Sequence, residues 1–155
     1  MNSVRLPLSG GIAFVLVDPD THEWASRHTW HMANGYPRRS KRINGKVKNF
    51  YLHREIIGAA PGQMVDHVNR NPIDCRKANL RLVTPTQNNM NQSANKHKRH
   101  GVFFKGVYKN RKGSTYSVKL CGKHLGNFKT EIEAAKAYNL AAKSAFGDYA
   151  HLNPV

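Results

Sequence analysis

The sequence predicts an α+β chain: a small N-terminal antiparallel meander, a β-β-α unit in the middle, and a three-stranded antiparallel sheet packed on one helix at the C-terminal end. Three observations predict it. Two Asn-Gly pairs, Asn34-Gly35 and Asn44-Gly45, each lie between β-compatible segments, and this dipeptide is the strongest short hairpin signal because both central turn residues need positive φ. Two capping boxes, Thr84 with Gln87 and Thr130 with Glu133, mark helix starts. Between residues 106 and 130 the chain alternates in polarity and turns twice, at Lys112-Gly113 and Cys121-Gly122, as antiparallel strands do.

Taken in order, the run "IAFVLV" at residues 12–17 is continuously apolar and closed by "DPD", which predicts a buried strand and a turn. Thr21 is the expected N-cap of one or two helical turns in "THEWASRH". The two Asn-Gly turns then define a meander over residues 29–52, whose Arg38, Arg39, Lys41, Arg42, Lys46 and Lys48 offer positive charge to a nucleic-acid backbone. Whether this flank contacts a polymer or only packs is open at this level. A short helix in "LHREIIGAA" ends at Gly58, "QMVDH" follows as a strand, and "ANLRLV" as another. Thr84, with Pro85 at the first helical position, opens the next helix and puts Asn88 in its first turn. In the C-terminal part, Ile132, Ala135, Tyr138 and Ala142 form one stripe at helical spacing. Val107, Val118, Leu120 and Leu125 are expected to face that helix, with Tyr108, Asn110, Ser117, Lys119, Cys121 and His124 on the opposite face.

Charge narrows the partners. With 25 Lys and Arg against 9 Asp and Glu the formal charge is +16, the sequence pI is about 10.3, and phosphates offset such self-repulsion best. After Asp74 no acid appears until Glu131, while thirteen Lys or Arg residues fall between them. That asymmetry predicts a phosphate-tracking surface rather than an evenly solvated one. Cys75 and Cys121 stand alone, with no Cys-x-x-Cys or Cys/His pair at zinc spacing, so neither a disulfide scaffold nor structural zinc is expected. The N-terminal apolar run is too short for a signal segment or a membrane span. A cytoplasmic protein with no membrane partner is the expectation. Residues 93–100, "SANKHKRH", are polar and basic with no periodicity, the composition of a linker. The expected division is a β-rich flank at 1–52, a core at 53–92, the linker at 93–100 and a C-terminal domain at 101–155.

The chemistry concentrates in "DHVNRNPIDCRKANLRLVTPTQNNMN", residues 66–91. Cleaving a phosphodiester needs a base for water, a hard cation, and oxygen ligands for that cation. A histidine suits the first task, and a carboxylate with an amide oxygen suits the third. Adjacent strand residues point to opposite faces, so Asp66 and His67 serve one centre only if the strand ends there, as the "NRNP" loop suggests. This stretch resembles the HNH homing-endonuclease family of phage and related mobile elements, in its variant with Asn as the third signature residue, whose core is a ββα-metal finger. The resemblance implies His67 as general base, Asp66 and Asn88 as ligands of one Mg²⁺ (or Mn²⁺) per active site, and Asn79 as the brace of the loop holding His67. Asn89 and Asn91 are the alternatives to Asn88. His53 in "LHRE" matches a position often seen upstream in such proteins, a further active-site contact. Arg76, Lys77 and Arg81 are expected phosphate contacts, with simple solvation the alternative.

The C-terminal segments "GVY", "YSVKL", "LGNFKTEIEAAKAYNLAA" and "GDYAHLN" resemble the APETALA-type, ethylene-response-factor-like DNA-binding domain. By that resemblance Lys105, Tyr108, Asn110, Lys119 and His124 sit where the family contacts DNA. Several arginines and tryptophans typical of the plant domains are absent, so base preference does not carry over. Together the two resemblances imply a site-selective endonuclease acting on double-stranded DNA. A monomer nicking one strand is the simplest form, with a dimer making a double-strand break left open. A DNA-binding regulator with a silent nuclease core and an RNA-binding protein are the competing classes; the first would be favoured by loss of Asp66, His67 or the oxygen at residue 88, all of which are present.

Overall fold

A computed structural model describes residues 3–11, 13–92, 104–111 and 113–155. The linker expected at 93–100, with His97 and His100, lies outside the described residues, as do Ile12 of the first apolar run and Lys112 of one expected turn. The chain is mixed α/β, with four helices and several antiparallel sheets among these residues, and divides into two compact units, Met1–Pro85 and Thr86–Val155.

In the first unit, β1 (Val4–Pro7) pairs antiparallel with β2 (Phe14–Val17). The apolar run is not buried throughout: Val15 and Val17 point into the core, while Phe14 lies on the other face under the guanidinium of Arg5. A two-stranded sheet covered on one face has room for only alternate residues inside. Helix α1 (Pro19–Ala25) begins earlier than expected, with Asp18 as its extended N-cap residue and Pro19 at the first position; Thr21 is buried inside the helix. Proline's fixed φ suits that first position, and this outweighs the threonine. Strands β3 (His31–Ala33), β4 (Tyr36–Ile43) and β5 (Lys46–Tyr51) form the expected meander. Its turns have the positive φ pairs that Asn-Gly favours, 53° and 81° at Asn34-Gly35 and 49° and 75° at Asn44-Gly45.

Helix α2 (Leu52–Ile57) ends at Gly58 in the left-handed conformation. Strand β6 (Met64–His67) pairs with β7 (Leu80–Val83), the latter preceded by one 3₁₀ turn at Lys77–Asn79. The core gathers Leu6, Leu8, Val15, Val17, Ala25, Trp30, Leu52 and Cys75. Residues of the N-terminal flank and of the expected nuclease core thus share one apolar centre. Backbone bonds extend this sharing: Leu16 donates to Ile73 O and Cys75 donates to Leu16 O, both at 2.8 Å.

The second unit holds α3 (Pro85–Asn91) beyond its first residue, strands β8 (Val107–Lys109), β9 (Tyr116–Leu120) and β10 (Lys123–Phe128) in the order β10-β9-β8, and α4 (Glu131–Phe146). Thr130 and Glu133 form the full capping box, and Gly147 follows the helix. The buried stripe of α4 is Ala134, Ala135, Tyr138 and Ala142, packed on Val107 and Val118. Ile132 corrects the expectation: it is exposed, because the helix is rotated so that Ala134 meets the sheet. Small alanines let the helix approach closely, and Gly106 shows how closely, since a Cβ there would lie 2.1 Å from the Tyr138 ring.

Candidate active site

His67 ends β6, and the chain turns at once: Arg70 N donates to His67 O at 2.8 Å with Arg70 in the left-handed region. Ending the ladder there lets neighbouring side chains serve one centre. Asp66 and His67 are 7% and 5% exposed. Arg81, the cross-strand partner of Asp66, donates from both Nε and Nη2 to Asp66 Oδ2, at 2.9 and 2.8 Å.

The loop after His67 is tied by side-chain amides. Asn79 Oδ1 accepts from Asn69 N at 2.9 Å, while its Nδ2 donates to Asn69 Oδ1 at 2.9 Å and Asp74 O at 2.7 Å. Asn69 Nδ2 reaches Asp74 Oδ2 at 2.8 Å, and Asn71 N returns to Asn69 Oδ1 at 2.9 Å. Asp74 in turn takes both ends of the Arg76 fork, at 2.7 and 2.6 Å. The Arg76 hydrogen bonds hold the Asp74 carboxyl below its ordinary range, against the opposing effect of burial. Satisfying so many polar atoms at once fixes the backbone that carries His67.

Around His67 the surroundings favour the neutral imidazole. Burial lowers its pKa, while the Asp66 and Asp74 carboxylates pull the other way. His53, in the first turn of α2, is 8% exposed, with its ring centroid 5.3 Å from that of His67. Burial, then the charges of His67 and Arg54, push its pKa down to about 4. Cys75 Sγ lies 3.9 Å from His67 Nε2 and donates to Pro72 O at 3.5 Å. Burial, with Asp74 adding to it, pushes that thiol up to about 12, so it is a neutral neighbour rather than a nucleophile.

The expected phosphate contacts have partners of their own. Arg76 pairs with Asp74, Arg81 with Asp66, and Lys77 with Asp20, while Lys77 N also donates to Asp18 Oδ2 at 2.7 Å. Lys41, Arg42, Lys46 and Lys48 on the β4–β5 hairpin make no ion pair among the described residues and are exposed. Lys41 and Lys48 even face each other across the ladder, an unfavourable arrangement unless an anion lies nearby.

In the second unit Asn88 is half-buried on α3. Lys105 is turned inward: its Nζ donates to the carbonyls of Met90 and Gln92, at 2.6 and 2.7 Å, capping α3. Asn110 Nδ2 braces the β8–β9 connection through Thr115 Oγ1 at 2.8 Å and Asn127 Oδ1 at 3.3 Å. Tyr108, Lys119 and His124 are exposed, with Lys119 and His124 paired across the ladder. Asn153 closes the unit, exchanging bonds with both backbone groups of Lys105 and with the Asn139 side chain.

Sequence reasoning did not single out Asn69 and Asp74 in the loop, Asp18 and Asp20 on the flank, Tyr36 and Tyr51 beside the histidines, or Asn153. The Asn-rich "NRNPID" was a usable signal for the loop network. Nothing local points to Tyr36.

A divalent cation requires hard oxygen donors. Among the described residues no three His, Cys, Asp or Glu side chains converge as a metal-binding group. Asp66 is a buried carboxylate of the first unit, an oxygen donor of the kind such a cation takes.

Comparison with known proteins bears on the family of the chain. The HNH endonuclease family profile matches residues 51–90, which contain α2, β6, the braced loop and β7. An uncharacterized HNH endonuclease of Acanthamoeba polyphaga mimivirus is 33% identical over 162 residues, covering 94% of this chain and 76% of the viral protein. No solved structure gives a significant match. The chain belongs to the HNH endonuclease family. The family implies nuclease activity and a DNA substrate.

Proposed function

We propose that the chain is a site-selective endonuclease of the homing type, from a virus or other mobile element, that hydrolyses phosphodiester bonds in double-stranded DNA, one active site per chain and one strand nicked per event. The observation that carries the reading is the pairing of a buried His67 at the end of β6 with a following loop locked by the three side-chain bonds of Asn79. His67 takes the proton from the attacking water. Asn79 keeps the loop, and so the base, in place before substrate arrives. Asp66, with Asn88 (or Asn89 or Asn91), would hold the cation, which when bound supplies charge stabilisation for the phosphate and the departing 3′ oxygen.

DNA is held, on this reading, by two surfaces. The unpaired lysines and Arg42 of the β4–β5 hairpin track phosphates, and residues 101–155, acting as an APETALA-type domain beyond a linker at 93–100, present Tyr108, Lys119 and His124 to the duplex. Lys105 and Asn110 support that module from within, by capping α3 and bracing the β8–β9 connection. The test is conversion of supercoiled plasmid to open circle at low salt, with Mg²⁺ or Mn²⁺ and with EDTA. Metal-dependent nicking supports the proposal. One observation favours a second reading, a DNA-binding regulator with a silent core: the Arg81 guanidinium sits on Asp66 Oδ2 where a cation would compete for it. Tight duplex binding with no cleavage in either metal would favour it.

A further inference from the structure

Beside His67 lies a set of aromatic rings. Tyr36 is the first residue of β4, directly after the Asn34-Gly35 turn. Its ring centroid is 6.0 Å from His67, tilted by 33°, and 5.1 Å from His53. Tyr51 backs the set, 5.8 Å from His53 and 6.5 Å from Tyr36. His53 Nδ1 is buried with no hydrogen-bond partner among the described residues, so ring contacts carry much of its placement. Tyr36 is 40% exposed and takes no part in the apolar core of its unit. A half-exposed tyrosine that leaves the core to others and lies against an active-site imidazole has a local task.

That task is orientation. The torsion that turns an imidazole about its own axis is broad, whereas a general base must aim one nitrogen at the proton it removes. We infer that Tyr36 is a positioning residue for His67: its ring, backed by His53 and Tyr51, fixes the plane of the imidazole at the end of β6. The inference rests on the proposed role of His67 as base. It places the determinant in the ring rather than the hydroxyl.

The experiment compares wild type, Tyr36→Ala, Tyr36→Phe and His67→Ala in single-turnover nicking of supercoiled plasmid with Mg²⁺, duplex binding in EDTA, and the ring-proton NMR shifts of His67. Tyr36→Ala is expected to cut about ten- to a hundredfold more slowly with DNA affinity within about twofold of wild type. Tyr36→Phe restores the rate, and the upfield ring-current shift of the His67 signals is lost in the alanine variant and kept in the phenylalanine one. A Tyr36→Ala rate equal to wild type overturns the inference while an inactive His67→Ala leaves the base in place. Loss of DNA affinity in step with rate, or Tyr36→Phe as slow as alanine, also overturns it. A fully active His67→Ala removes both. If circular dichroism shows Tyr36→Ala unfolded, Tyr36→Leu carries the same comparison.

Discussion

Arg81 lays its guanidinium against its cross-strand partner, with Nε and Nη2 at 2.9 and 2.8 Å from Asp66 Oδ2. A carboxylate this buried is costly to leave without its cation. Arg81→Ala is expected to lower stability by about 3 kcal/mol, read as a shift in the urea midpoint. Arg81→Lys recovers only part of this, because an ammonium does not reproduce the two-pronged contact.

The histidines set a pH dependence. His53 has its folded pKa pushed down to about 4 from an ordinary value of 6.5, and His67 is shifted in the same direction. Between those values the unfolded chain binds the extra proton, so stability falls as pH drops from about 6.5 toward about 4, by about 3 kcal/mol for a shift of this size. Above that window neither group adds a slope. Urea midpoints measured across it should show the fall, and His53→Phe should flatten it.

The hairpin is expected to dominate the salt dependence of DNA binding. Lys41, Arg42, Lys46 and Lys48 have no ion-pair partner among the described residues, whereas Arg76 and Lys77 already hold carboxylates. Neutralising all four with Gln should reduce the slope of log affinity against log salt by roughly 3–4. Neutralising Arg76 and Lys77 should change it by less than one, and filter binding across a salt series distinguishes the two.

Gly106 combines positive φ with the tightest approach among the described glycines of the C-terminal unit. Its virtual Cβ lies 2.1 and 2.3 Å from the Tyr138 ring and 2.7 Å from Lys119 O, and Lys119 N donates to Gly106 O at 2.8 Å. Gly106→Ala should destabilise by about 3 kcal/mol. Gly113→Ala meets nothing closer than 3.8 Å and should leave the melting temperature within a degree or two of wild type.

What was legible in the sequence was local. The Asn-Gly turns, Gly58, the Thr130–Glu133 box and the Cys121-Gly122 turn are each set by chemistry within four residues, and all appear where expected. Strand β1 was missed because its pairing with β2 depends on residues across the "SGG" turn, and neither strand alternates enough to advertise a partner. Ile132 misled because periodicity gives the width of an apolar stripe better than its rotation, and two alanines outcompeted it for the sheet. In the site, the spacing of Asp66, His67, Asn79 and Asn88 pointed to a family, but spacing carries no information on which carboxylate an arginine will meet. Arg76, Lys77 and Arg81 look alike in sequence as free positive charge. Folding gives each an acid, Lys77 finding one 57 residues away in the chain.

The central claim is that His67 is the base of a metal-dependent nuclease, and the most direct measurement is the single-turnover nicking rate of His67→Ala beside wild type on supercoiled plasmid, in Mg²⁺ and in EDTA. The account predicts open circle from wild type only with metal, and a rate for His67→Ala lower by about 10²–10⁴-fold with duplex affinity retained. Cleavage by His67→Ala at the wild-type rate would contradict it.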